Sequence, residues 1–169
     1  MSNITTNVER QVSESAFLVS KTDKSGRITY CNVPFINIVG AKGNELIGKQ
    51  HNIVRHPDMP KVIFKMLWEK IESKQEIFAY VKNRSFDGSF YWVFANITAS
   101  LDQSENIVGY YSVRRKPNQK ALDVIKPLYE KLLNLEKNGG IDASFKYLQN
   151  LLNEKNTTYD EFVNNLQRS

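Results

Sequence analysis

The chain lacks most of the features that mark specialised protein classes. Of its 169 residues one is a cysteine, Cys31, so no internal disulfide can form and a reducing compartment is expected. Asn-x-Ser/Thr triplets such as Asn83-Arg84-Ser85 then carry no expectation of glycosylation. No run approaches about 18 uncharged apolar residues, so no bilayer-spanning helix is expected. The opening Met-Ser-Asn-Ile-Thr-Thr-Asn-Val-Glu-Arg has neither the basic nor the apolar stretch of a secretory signal. The location implied is cytoplasmic. There is no Gly-x-Ser-x-Gly, no Gly-x-Gly-x-x-Gly, no phosphate-cradling loop and no zinc-finger spacing. What is present is ordinary: 41% hydrophobic and 24% charged residues, the balance of one soluble domain with a helical appendage.

The net charge of +5 is unevenly spread. From Asn118 onward seven basic residues face seven acidic ones, so the first 117 residues carry the whole excess. Nucleic acid is the partner such an excess first suggests. The basic residues are scattered singly, however, with Arg114-Arg115-Lys116 the one run, and no helix has a basic stripe. A small anionic ligand suits them better.

Short β-type runs at Ala16 to Thr22 and Arg27 to Asn32 flank a hairpin-like Asp23-Lys24-Ser25-Gly26. Pro34, Gly40, Gly43, Gly48, Pro57 and Pro60 then permit only short helical pieces. A longer helix is predicted from about Pro60 to Ser73, with Asp58 as its N-cap. Three strands follow at Ile77 to Arg84, Ser89 to Ala99 and Ile107 to Arg115. The fold class is therefore α+β, a five-stranded antiparallel sheet with helices between strands 2 and 3. Leu122, Ile125, Tyr129 and Leu132 predict a C-terminal helix, kinked or restarted at Pro127 and ended by Gly139-Gly140. Phe145, Leu148, Leu151 and Leu152 mark a second. Thr158-Tyr159-Asp160-Glu161 is a capping box opening a third. These helices either pack on the domain or present a face to a partner. The organisation expected is an N-terminal cap segment (1–15), an α+β domain (16–117) and a helical extension (118–169).

Both histidines lie in His51-Asn52-Ile53-Val54-Arg55-His56-Pro57-Asp58-Met59-Pro60, the densest polar segment. Metal binding is disfavoured, because the histidines are five apart and no fourth ligand is signalled. Catalysis by Cys31 with a histidine is disfavoured by the placement of Cys31 in a strand. Ligand binding is left: Arg55 offers a fork of donors for a phosphate, His56 another donor, and Asn52 an amide to read a ring edge. Arg and His beside a helix start also make an anion pocket. In the long helix Val62, Ile63, Met66, Leu67 and Ile71 form one apolar face, while Phe64 and Trp68 form another that a flat aromatic ligand or the core itself must cover. One face of the fourth strand (Tyr91, Val93, Ala95, Ile97, Ala99) is apolar and small enough to line a pocket. The other (Phe90, Trp92, Phe94) is aromatic and calls for an N-terminal helix or a partner subunit over it. Asn83, polar and late in its strand, hydrogen-bonds a heterocycle if it points inward.

Taken together, Asn32-x-x-Phe35, Glu45-Leu46-Ile47-Gly48-Lys49, the His51 to Pro60 segment, Trp68, Val81-Lys82-Asn83-Arg84, Gly88, Tyr91-Trp92-Val93 with Ala95-Asn96, Gly109-Tyr110, Arg114 and Pro127-Leu128-Tyr129 resemble the PAS domain of the aerotaxis receptor family, flavin-based redox sensors for energy taxis. The resemblance runs from about Val19 to Tyr129. It implies a PAS fold that binds FAD non-covalently, with Arg55, His56 and Asp58 in the segment that retains FAD. Asn32, Trp68 and Asn83 match further pocket positions, and Tyr91 and Asn96 match strand positions linked to signalling. With Asn52 and Ala95 these make the candidate site: Asn32, Asn52, Arg55, His56, Asp58, Trp68, Asn83, Tyr91 and Ala95. The cysteine that light-sensing flavin domains carry in their helical middle is missing, so covalent photochemistry is not expected. A haem bound through His51 or His56 would depart from the flavin pattern. The resemblance also implies a stand-alone PAS half of a bipartite system, not an enzyme. It would signal to a membrane-bound HAMP or chemoreceptor-type partner and sit at the inner membrane only through it. Homodimerisation through the sheet face or N-terminal segment is a further expectation. The alternative is a cofactor-free PAS interaction or dimerisation module.

Overall fold

The computed structural model describes residues 4–169, so the first three residues of the expected N-terminal segment lie outside it. Strands β1 (Leu18–Asp23) and β2 (Ile28–Cys31) form a hairpin, followed by helices α1 (Val33–Val39) and α2 (Gly43–Leu46) and a 3₁₀ turn at His51–Val54. Helix α3 (Lys61–Glu72) then leads into strands β3 (Ile77–Arg84), β4 (Phe90–Leu101) and β5 (Ile107–Arg115). The chain ends with α4 (Gln119–Glu154) and α5 (Tyr159–Arg168). All strand pairings are antiparallel and the order across the sheet is β2-β1-β5-β4-β3. The predicted order of elements is the observed one. At the β1–β5 pairing Gly109 stands opposite Asp23, and a Cβ there would stand 2.1 Å from the carbonyl oxygen of the preceding Thr22, so only glycine lets these backbones approach.

Register assigns the side chains to two faces. Leu18, Ser20 and Thr22 on β1 stand opposite Arg114, Ser112 and Tyr110 on β5, and these in turn face Ala95, Ile97 and Ala99 on β4. Asn83, Val81, Ala79 and Ile77 on β3 complete this inner face, over which α3 packs. Trp92, Phe94, Phe78 and Tyr80 point the other way. Sequence reasoning expected an N-terminal helix or a partner subunit over that aromatic face, but the chain's own C-terminal helices cover it. Tyr129 of α4 lies 5.9 Å from Trp92, ring to ring, and the Tyr80 hydroxyl donates to the Val163 carbonyl of α5 at 3.0 Å. Leu132, Leu148 and Val163 are buried in the same core cluster as the sheet.

The same helices close the outer edge of β3. Exposed edge strands leave a row of free amides and carbonyls. Here Asp160 accepts from Phe78 N, the Tyr129 hydroxyl donates to Tyr80 O, and Met59 Sδ receives Lys82 N. At β4's other edge, ahead of its β5 pairing, residues 6–10 add a short parallel stretch through Thr6 N to Gly88 O, Phe90 N to Val8 O and Arg10 N to Phe90 O. Arg10 anchors it, donating to Ser89 Oγ and the Asp87 carboxylate at 2.8 Å each.

Helix ends explain the rest. Gly140 has φ 70 and breaks α4 into two helical halves, as the Gly139-Gly140 pair predicted, while Pro127 is accommodated inside the first half. Thr158 and Glu161 form the predicted capping box of α5. The expected N-cap of α3 is corrected. Pro60 occupies that position and Asp58 is turned toward Lys82 instead, 2.8 Å from its Nζ. The first amides of α3, Lys61 N and Val62 N, are each taken at 2.9 Å by the carboxylate of Glu136, seventy-four or more residues away on α4. The anion at this helix start therefore belongs to the protein itself. Ser144, beyond the Gly140 break, donates to Glu136 Oε1 at 3.0 Å and ties the second half of α4 to the same carboxylate.

A carboxylate capping two amides contributes on the scale of a side-chain N-cap, about 0.5–2 kcal/mol. Glu136→Ala is expected to lower stability by about 1 kcal/mol in urea unfolding. Amide exchange should rise at the start of α3 and in residues 141–168, with the central strands unchanged.

Candidate functional site

Between α3, the 3₁₀ turn and the inner face of the sheet lies a cavity of about 210 Å³. Its existence follows from residue size, since Ala95, Ser20, Thr22 and Ser112 stand on the sheet where larger side chains would reach the helix. Its walls are apolar: Val54, Phe64, Leu67, Trp68, Ile71, Val81 and Ile97. Trp68 is held edge-on against Tyr110, with ring centroids 5.4 Å apart. Onto this surface converge amides from Gln50, Asn52 and Asn83, hydroxyls from Ser20, Thr22 and Ser112, and the guanidinium groups of Arg55 and Arg114. Polar groups converging on apolar walls are the pattern of a small-molecule pocket.

Five of the nine candidate residues line this cavity: Asn52, Arg55, Trp68, Asn83 and Ala95. Asn83 is buried and points inward on β3, and the backbone of Arg55 forms an isolated antiparallel bridge with it. The Arg55 guanidinium lies 3.7 Å over the Phe64 ring, on the exposed side of the cavity. The other four are placed elsewhere. Asn32 caps α1, with its Oδ1 accepting from Phe35 N at 3.2 Å and Val19 N at 3.0 Å while its amide donates to Phe17 O. The ring of His56 turns away from the cavity onto Phe90, and its Nδ1 accepts from Asp58 N at 3.0 Å. Asp58 pairs with Lys82 at the surface. Tyr91 is fully buried on the inner face, directly opposite Asn83 in the register, but does not line the cavity.

Sequence reasoning passed over the polar floor of the cavity. The Arg114 Nη2 atom donates to Ser20 Oγ at 2.9 Å and to His51 Nε2 at 2.8 Å. The signal was available in the period of β5, where Tyr110, Ser112 and Arg114 alternate on one face, so an inward tyrosine implies an inward arginine two pairs later. Thr22 Oγ1 and Ser112 Oγ are buried without a hydrogen-bond partner among the described residues. Buried hydroxyls of this kind ordinarily find partners, and both of these face the cavity. Neither histidine is set up as a metal or haem ligand. His56 lies outside the cavity, His51 Nε2 is engaged by Arg114, and no metal-binding cluster occurs among the described residues.

Burial, reinforced by the Arg114 charge, holds His51 at a pKa of about 3, and burial beside Lys82 holds His56 at about 4. Both rings are therefore neutral at physiological pH. With Arg114 donating, the lone pair of His51 is on Nε2 and its proton on Nδ1. In the unfolded chain each histidine titrates near 6.5. Between these values the unfolded state binds the extra protons, so stability falls as pH drops. From pH 6.5 toward pH 5 the slope approaches about 1.4 kcal/mol per pH unit for each histidine. Urea unfolding across that range should show it, and His56→Gln should reduce it by about half.

Comparison with known proteins agrees with this architecture. The family model described as the PAS fold matches residues 28–114. Over 121 residues, 72% of this chain, the sequence is 36% identical to the aerotaxis receptor of Escherichia coli (strain K12), of which it spans 24%. Among solved structures, the PAS domain of a protein from Colwellia psychrerythraea superposes with a TM-score of 0.55 at 18% identity, covering 59% of this chain and 85% of that one. A light-oxygen-voltage domain studied with a flavin analogue superposes with a TM-score of 0.56 at 24% identity, covering 72% of this chain and 88% of that one. The five-stranded antiparallel sheet and the helices between its second and third strands are thus those of the PAS fold, and the chain belongs to that family.

Proposed function

We propose that this chain binds FAD non-covalently in the cavity and works as a redox or oxygen sensor in energy taxis. It would pass its state to a separate, membrane-bound chemoreceptor-type protein. The observation that carries the reading is the cavity itself. Apolar and aromatic walls suit a flat tricyclic ring, while Asn83, Thr22 and Ser112 offer buried hydrogen-bonding groups to a heterocyclic edge. Arg55 stands on the exposed side, where a phosphate-bearing tail would leave the pocket. Similarity to the aerotaxis receptor supports energy taxis as the setting. Two unpartnered hydroxyls weigh against the alternative of a cofactor-free interaction module, whose pocket would be filled by its own side chains.

When bound, FAD supplies reversible electron acceptance, and the chain's own groups convert it into a shape change. Phe64, Leu67, Trp68 and Ile71 of α3 touch the cavity, and the same helix is held at its N-terminus by Glu136. A displacement of α3 is therefore felt by both halves of α4 and by α5, which packs against β3. One altered buried hydrogen bond at Asn83 is worth about 0.5–1.5 kcal/mol, enough to shift populations several-fold without unfolding the domain. Catalysis has no part in this account. No helix among the described residues is long and apolar enough to cross a membrane.

The freshly purified protein is expected to show a flavin absorption spectrum and to release FAD on heating. A colourless protein that stays colourless after FAD is added would replace this reading with the interaction module. Arg55→Ala, at an exposed position, is expected to weaken FAD retention at least tenfold, roughly the loss of one charge-assisted contact, with its unfolding midpoint near that of the parent. Hydrogen exchange compared between oxidised and dithionite-reduced protein should differ in residues 141–168. Identical exchange everywhere outside the cavity would exclude the transmission route.

A further inference from the structure

Arg114 is 4% exposed, and its guanidinium sits inside the domain on the floor of the cavity. Its hydrogen-bond partners are Ser20 Oγ, His51 Nε2 and, at 3.4 Å, the Leu18 carbonyl. The Phe35 ring lies 5.1 Å away. No aspartate or glutamate pairs with it among the described residues. The other titratable groups that sense it, Cys31 and Tyr91, are both shifted upward by burial and are neutral at physiological pH. Arg114 itself is lowered by burial only to about 10 and remains a cation. A buried charge surrounded by neutral groups is unfavourable unless something of opposite charge completes it. Five N–H donors against three acceptors leave Arg114 with donors to spare. Ser112, next to it on the inner face of β5, and Thr22, one inward position beyond Ser20 on β1, bring unpartnered hydroxyls to the same cavity.

We infer that Arg114, with the hydroxyls of Ser112 and Thr22 in the same cavity, is an anion-accepting end of the cavity, and that it makes the pocket bind the reduced, negatively charged form of the flavin ring more tightly than the oxidised form. The inference rests on the FAD reading above. Reduction brings two electrons to the ring from an external reductant such as dithionite, which is oxidised. If one proton from water follows, the ring is left as an anion; if two follow, it is neutral. The fixed charge of Arg114 favours the first outcome. Ser20 and His51 act as positioning residues, because they hold the guanidinium in place without neutralising it.

The test measures binding of oxidised FAD directly and of reduced FAD from the shift of the midpoint potential relative to free FAD. Arg114→Gln is expected to weaken the reduced form by roughly ten- to a hundredfold, the range of a lost charge-assisted hydrogen bond, while oxidised FAD changes by less than about threefold. Arg114→Lys, which keeps the charge, should recover most of the preference. Equal losses for both redox forms would overturn the inference and leave Arg114 a packing residue. A second measurement needs no variant. In weakly buffered, mildly acidic solution, after subtraction of the protons that dithionite releases as it is oxidised, free FAD takes up two protons on reduction and the wild-type protein should take up one. Uptake of two would overturn the inference while leaving the FAD reading intact. Failure of the wild-type protein to bind FAD at all would remove both.

Discussion

A sheet with apolar side chains on both faces must cover both, and the rest of this molecule is arranged around that constraint. The inner face is covered by α3 and the short helices. The outer face, with Trp92, Phe94, Phe78 and Tyr80, is covered by α4 and α5. Neither cover is independent of the other, because Glu136 on α4 caps the first amides of α3 past the edge of the sheet. One carboxylate thus joins the layer that walls the cavity to the layer that hides the aromatic face. Ser144 extends the connection across the backbone break at Gly140.

The two faces are filled differently. Outside, large rings interlock and the hydroxyls of Tyr80 and Tyr129 end on backbone carbonyls. Inside, small residues at Ser20, Ala95 and Ser112 keep the sheet from meeting α3, and a cavity results. Polar groups at such a place are costly unless they are used. Thr22, Ser112 and Arg114 place such groups together on one cavity, and that placement is the physical basis for reading the cavity as a binding site. Edge protection of β3 by Asp160, Tyr129 and Met59 couples the same helices to the strand that carries Asn83.

Much of this was written in local pattern. The period of two in β3, β4 and β5 and the spacing of apolar residues in α3 placed these elements and their faces. Gly139-Gly140 and the Thr158 capping box placed the breaks in the tail. Lining residues on regular elements, Trp68, Asn83 and Ala95, follow from the same periods. The irregular segment from His51 to Pro60 was less legible, because adjacent residues in a 3₁₀ turn and loop point in unrelated directions. Arg55 and Asn52 face the cavity while His56 and Asp58 turn to Phe90 and Lys82.

The sequence by itself determined the order of elements, the two-faced sheet and the family resemblance, since these depend on periodicity and on motifs read along the chain. Tertiary structure alone decided which groups are neighbours across long separations. Glu136 at the start of α3, the C-terminal helices over Trp92, and Arg114 against Ser20 and His51 each join residues tens of positions apart. Such meetings are set by how layers pack, and packing depends on the whole molecule rather than on any window of it.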